Sequence, residues 1–203
     1  KIARKTSGSP IRCIVEDVTD EVLQTKALRK ERDWDGLTGV KNRMAFGETM
    51  ERMGAHREEY QSVALIMCDL NDLKGVNDAF GHDKGDEYIC AAAGCIRKSF
   101  PSGHVFRIGG DEFVMFLPGA FDWQTGKRKI GEIQDSLRTV MITTWGIRGI
   151  RASIGAALCP EDGMDYETLF KAADEAMYLD KEQSKNRNES REAGEEKQDR
   201  TIS

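Results

Sequence analysis

Residues 107–113 read Arg-Ile-Gly-Gly-Asp-Glu-Phe, and an apolar run, 114–117, follows at once. Val105 and Phe106 precede it. Paired glycines between two apolar runs predict a β-hairpin with a two-residue turn, its central positions free to take positive φ. That turn sets Asp111 and Glu112 at the first positions of a buried strand. Unpaired acids are costly there, so a job is expected of them, and holding a metal ion is the natural one. Period-2 alternation turns Glu112 to the face opposite Asp111, which gives it a supporting role rather than a direct ligand's.

Upstream, residues 63–68 (Val-Ala-Leu-Ile-Met-Cys) form an unbroken apolar run, the pattern of a strand buried on both faces. It ends in a polar stretch, Asp-Leu-Asn-Asp-Leu-Lys-Gly-Val-Asn-Asp-Ala-Phe-Gly-His (69–82), read as a loop. If this strand lies beside the hairpin, Asp69 and Asp111 converge. Two carboxylates, a main-chain carbonyl and phosphate oxygens make the hard oxygen site that Mg²⁺ prefers.

The remaining segments give an ordered series. Residues 11–18 read as a strand without a partner, the end of a domain cut off upstream in a chain that looks like part of something longer. Residues 20–34 read as a charged linker helix suited to pairing in a dimer. A turn at Thr38-Gly39 leads to a helix over 42–58, with Met44, Phe46, Met50 and Met53 on its apolar face. A helix from Gly85 to Lys98 turns Ile89, Ala92, Ala93 and Ile96 inward. Another over 127–142 uses Ile130, Ile133, Leu137 and Met141. A small-residue strand, 151–159, precedes a helix over 165–181 with Leu169, Ala172, Ala173, Ala176 and Met177 inward. After Lys185 only Ala193 and Ile202 are apolar, so 187–203 is expected to be a disordered tail. The fold class is α/β (α+β): a mixed, largely antiparallel sheet with helices gathered on one side, the palm-type plan.

Composition excludes several functions. The 203 residues are 39% apolar and 32% charged, with net charge -5. That balance gives no general attraction to nucleic acid or anionic lipid. No apolar run is long enough to span a membrane, so no membrane contact is expected of this segment. The five cysteines (13, 68, 90, 95 and 159) show no CxxC spacing and read as free thiols of a reducing, cytoplasmic compartment. Membrane anchoring upstream stays open.

At these residues the chain resembles the GGDEF domain, the diguanylate cyclase family. The resemblance rests on Gly109–Phe113 and on the stretches at 35–43, 69–87, 151–157 and 173–186, in family order. Residues 35–186 are therefore expected to form the catalytic domain. Residues 1–19 resemble the end of a PAS-like sensor and 20–34 its helical linker. The resemblance implies condensation of two GTP into cyclic di-GMP with release of two pyrophosphates, by a Mg²⁺- or Mn²⁺-dependent homodimer. It implies metal ligation by Asp69, Asp111 and the Leu70 carbonyl, with Asp111 also assisting deprotonation of the attacking 3′-hydroxyl. Lys74 is implied as a catalytic phosphate contact, with Lys181 and Lys185 as further phosphate contacts. Asn77 and Asp86 match guanine-binding positions and His82 a substrate contact. Gly109 and Gly110 suit close approach of backbone to phosphate. Asn71 replaces an aspartate frequent in the family, and Ser184-Lys185 a glycine-arginine pair, which loses a bidentate fork. Phe100 and Gly103 stand where many members carry the RxxD pair of an inhibitory product site, so that site is expected to be missing. The alternatives are a degenerate GGDEF domain that binds GTP or a partner protein without catalysis, and a different palm-type cyclase or polymerase.

Overall fold

A computed structural model describes residues 32–60, 62–100, 104–119, 122–142, 146–163 and 165–199, with the side chains of 147, 148 and 187–199 left aside. The expected strand at 11–18 and most of the linker helix lie outside the described residues; of its last three residues Arg32 and Asp33 are helical, while Trp34 leaves the helix for an isolated bridge to Lys41. The elements are β1 (Lys41–Asn42), α1 (Arg43–Ala55), β2 (Val63–Leu70), α2 (Leu73–Phe80), α3 (His82–Ser99), β3 (Val105–Arg107), β4 (Glu112–Pro118), α4 (Trp123–Arg138), β5 (Met141–Ile142), β6 (Ile147–Arg148), β7 (Ala152–Cys159) and α5 (Tyr166–Asp199).

Five strands form one sheet in the order β1-β3-β4-β2-β7; β5 and β6 make a separate small ribbon. β1 runs parallel to β3, and the other pairings are antiparallel. The sheet is thus mixed and mostly antiparallel, as expected. β2 lies inside it because its apolar run can be covered on both faces. Ala64, Ile66, Cys68 and Leu70 pack with Tyr88, Ile89, Ala92 and Ile96 of α3 and Ile133 and Leu137 of α4. Val63, Leu65 and Met67 pack on the other face with Phe46, Met50 and Met53 of α1 and Leu169, Ala173 and Met177 of α5. Helices therefore flank both faces rather than gathering on one. A strand apolar at every position needs both layers.

Local chemistry sets the boundaries. Asn42 accepts from the Ala45 amide at 3.0 Å and caps α1. Met44, expected on the inner face of that helix, is exposed. α4 begins four residues before the expected start and stops at Arg138, so Met141 falls in β5 and is exposed. The chain turns back there through Gly149 N–H to Val140 O (2.7 Å) and Ile150 N–H to Leu137 O (2.8 Å). α5 continues through Asp199, so the expected disordered tail is helical over its first part. Its Glu, Lys, Arg, Gln and Ala are strong helix formers, which extends the helix although they can build no core.

Candidate active site

At one end of the sheet β2 finishes beside the starts of its antiparallel neighbours β4 and β7. Asp69 on β2 stands in register with Glu112 on one neighbour and Ser153 on the other. The hairpin between β3 and β4 differs from the expected two-residue turn. Ile108 N–H donates to Glu112 O at 3.0 Å, which leaves Gly109, Gly110 and Asp111 in the turn. Neither glycine takes a positive φ, because three residues reverse the chain without it. Gly109 lies close to Glu112 instead: a Cβ there would meet the Glu112 carboxylate, which would have to swing aside. The Gly110 carbonyl accepts from Arg107 Nη2 at 2.8 Å, and Arg107 Nη1 reaches Asp35 at 3.1 Å. The turn is thereby tied to the chain's Asp35–Thr38 bend.

Asp111 belongs to the turn rather than to the strand. Its carbonyl accepts from Leu70 N–H at 3.0 Å, which locks the hairpin tip to the end of β2. Asp111, Leu70, Lys74, Lys181 and Lys185 all line one cleft of 430 Å³. Glu112 instead lines an adjoining hollow with Asp69, Asp174 and Met177, and Lys181 borders both. Asp111 and Glu112 thus border different hollows, and Glu112 is the cross-strand neighbour of Asp69. Burial pushes its carboxyl above the usual range, and the charges of Asp111, Asp69 and Asp174 push the same way.

Asp69 is buried, and Lys181 Nζ lies 2.7 Å from its Oδ1. The acids are not drawn into a tight oxygen cage. Among the described residues, only His56, Glu58 and Glu59, all exposed, bring three ligand atoms within 4.8 Å of one another. The donor set at the strand ends nevertheless fits a hard divalent cation. It is all oxygen, and it carries more negative charge than Lys181 offsets.

The stretch after Asp69 is not the expected loop. Leu73–Phe80 forms α2, with Val76 buried and Leu73 packed on the core. Asp72, Gly75, Asn77 and Asp78 disguise it, but Leu73, Val76 and Phe80 keep helical spacing. Asp72 has φ 66 and makes no side-chain cap, and Asp72, Leu73 and Lys74 at the start of α2 line the same cleft. A helix N-terminus of this kind suits phosphate, and the sequence reading missed it. Asn71 is held on three sides: its N–H reaches Arg151 O at 2.8 Å, its carbonyl accepts from Tyr88 Oη and its Oδ1 from Ser153 Oγ, both at 3.1 Å.

Asn77, His82 and Asp86 sit at the corner between α2 and α3. Asn77 Oδ1 is buried and has no hydrogen-bond partner. It presses on Gly85, where a Cβ would overlap it. Asp86 and His82 are exposed nearby on α3. Phe100 ends α3 buried in the core, 2% exposed, and so offers nothing to a surface ligand; Gly103 lies outside the described residues. The four described cysteines are free.

Acids at the ends of a central sheet, facing lysines of a packed helix across an open cleft, define an α/β protein equipped to handle phosphates. Residues 32–187 match the family described as "Diguanylate cyclase, GGDEF domain", and the chain belongs to that family. It is 34% identical over 177 residues to diguanylate cyclase DgcM of Escherichia coli K12, covering 86% of this chain and 42% of that protein. Diguanylate cyclase DgcS of Shewanella oneidensis is 31% identical over 168 residues, covering 81% and 54%. The chain thus spans about half the length of these curated relatives. Among solved structures, the coiled coil and GGDEF domain of DgcB from Caulobacter crescentus, in complex with c-di-GMP, superposes with TM-score 0.71 at 26% identity, covering 81% of this chain and 88% of that one.

Proposed function

We propose that this chain is the catalytic part of a diguanylate cyclase, joining two GTP into cyclic di-GMP and releasing two pyrophosphates. The observation that carries this reading is the single cleft lined by Asp111, Leu70, Lys74, Lys181 and Lys185. Five residues singled out by resemblance, from three separate segments, meet there.

Each group has a task that its placement supports. The lysines and the first amides of α2 face the triphosphate and steady the leaving pyrophosphate. Asp111, held at the hairpin tip, takes up the proton of the attacking 3′-hydroxyl. Asn77 hydrogen-bonds guanine's edge, Asp86 accepts from its N–H donors, and His82 closes that corner. Asp69, Asp111 and the Leu70 carbonyl would hold Mg²⁺ or Mn²⁺, with Glu112 adjoining. Bound there, the metal would neutralise charge gathering on the phosphate oxygens.

One domain supplies one GTP, so two copies must face each other. Residues 35–186 are the catalytic unit in this reading, 20–34 the linker that brings two copies together and 1–19 the end of a sensor. The reaction belongs in the cytoplasm, where GTP is available. No helix among the described residues is long and apolar enough to cross a membrane.

Incubation with GTP and Mg²⁺, with products separated by chromatography, tests the reading. Cyclic di-GMP and pyrophosphate are expected, with ATP left unused. GTP that binds but returns unchanged would point to a degenerate domain instead.

A further inference from the structure

Among the described residues Arg151 is the one arginine lining the cleft, and the resemblance at 151–157 gives it no role. It sits just before β7, at the same end of the sheet as Asp69. Its carbonyl receives the Asn71 amide, so its backbone is fixed at the mouth of the site. It borders the cleft on one side of the Asn71-Asp72 turn together with Lys181, Ser184 and Lys185. On the other side of that turn it borders a second hollow of 430 Å³ with Tyr88 and Arg138. The residue is exposed, as a group that meets a soluble ligand must be.

The chemistry of the cleft makes this placement informative. Its other cations are Lys74, Lys181 and Lys185, all ammonium groups. An ammonium meets a phosphate as a point charge; a guanidinium offers a planar fork that pairs with two oxygens at once. Lys185 stands where the resemblance leads one to expect an arginine, so the helix side of the cleft lacks that fork. Arg151 brings a guanidinium back to the same cleft from the sheet side.

We propose that Arg151 is a binding residue for the β- and γ-phosphates of the nucleotide, and so for the pyrophosphate that leaves. This rests on the cleft being the GTP site. The backbone of residue 151 makes the structural contact to Asn71, so exchanging the side chain leaves that contact in place.

Inorganic pyrophosphate with Mg²⁺ is the direct probe, followed by isothermal titration. Arg151→Gln should weaken its binding about tenfold, the scale of a lost charge-assisted pair in an open site. The KM for GTP should rise by a similar factor while kcat stays within about twofold, the mark of lost ground-state binding. Arg151→Lys should recover part of the loss. Arg138→Gln, which touches only the second hollow, should bind pyrophosphate like the unaltered chain. Unchanged pyrophosphate binding by a folded Arg151→Gln overturns the proposal. An equal loss in Arg138→Gln also overturns it, because the effect would then be one of general charge. If the unaltered chain makes no cyclic di-GMP, the cyclase reading fails by itself; the Arg151 loss in pyrophosphate titration would still support the phosphate role.

Discussion

Asp111 owes its position to two backbone contacts, one at each side of the hairpin tip. Its carbonyl is fastened to Leu70, and the neighbouring Gly110 carbonyl to Arg107. Neither contact uses the carboxylate, so Asp111→Asn should fold normally. Turnover in a pyrophosphate-release assay should fall by at least about 10²-fold, the scale of a lost electrostatic catalyst. Near-normal turnover would remove Asp111 from the proposed chemistry. At this scale the sequence was legible where chemistry is strict and opaque where geometry decides. Asp69, Asp111 and the three lysines could be named because acids and cations in that order match a family pattern. That Glu112 faces Asp69 could not be read, since it depends on which strand neighbours which. The role of Gly109 was hidden for the same reason. Its missing Cβ makes room for Glu112, a contact three residues away that appears only once the three-residue turn is seen.

Helices and strands place these residues, and their packing can be tested separately from catalysis. Gly155 on β7 lies directly against α5. A Cβ there would overlap backbone atoms of Ala173 and Met177, which cannot swing aside as a side chain can. Gly155→Ala should therefore cost about 3 kcal/mol, the upper range for overpacking, seen as a lowered urea midpoint at unchanged m. A midpoint within error of the original would mean that α5 sits further from the sheet. The Asp35 bend offers a second test, by pH. Burial alone would raise the Asp35 carboxyl, but hydrogen bonds from Thr38 and the Arg107 guanidinium outweigh it and hold it below the ordinary aspartate range. A depressed carboxyl contributes stability above its unfolded value and loses it as pH falls below about 4. Asp35→Asn should melt lower than the unaltered chain at pH 7, and the gap in Tm should close toward pH 3. A gap independent of pH would show that charge plays no part in the Asp35–Arg107 contact. Periodicity located α3 and β2 well because their apolar patterns are long. It failed for α2, where eight residues carry the site's polar groups and the helical spacing rests on three apolar side chains.

At the scale of the whole chain, the reading of two facing active sites has a kinetic consequence. In that reading each copy brings one GTP. Product formation should then rise more steeply than enzyme concentration where the chain is partly monomeric. Specific activity constant over a hundredfold dilution, with sedimentation showing a monomer, would argue against a two-copy reaction. The overall plan was readable from the order of apolar segments, but not the sidedness of the helices. One-sidedness conflicts with a β2 whose residues 63–68 are all apolar, and the structure sides with β2.

The interior place of β2 bears on which parts can move. It is hydrogen-bonded along both edges, to β4 and to β7, and apolar layers cover both of its faces. Opening it would expose both cores at once, so its amides should exchange with deuterium only through global unfolding. Asp69 rides at the end of this most protected strand, while Lys181 and Lys185 ride on α5 beyond Met177, the last of its described residues buried in the core. Any closing of the site around a ligand must then come from the helix, moving over an acid that stays still.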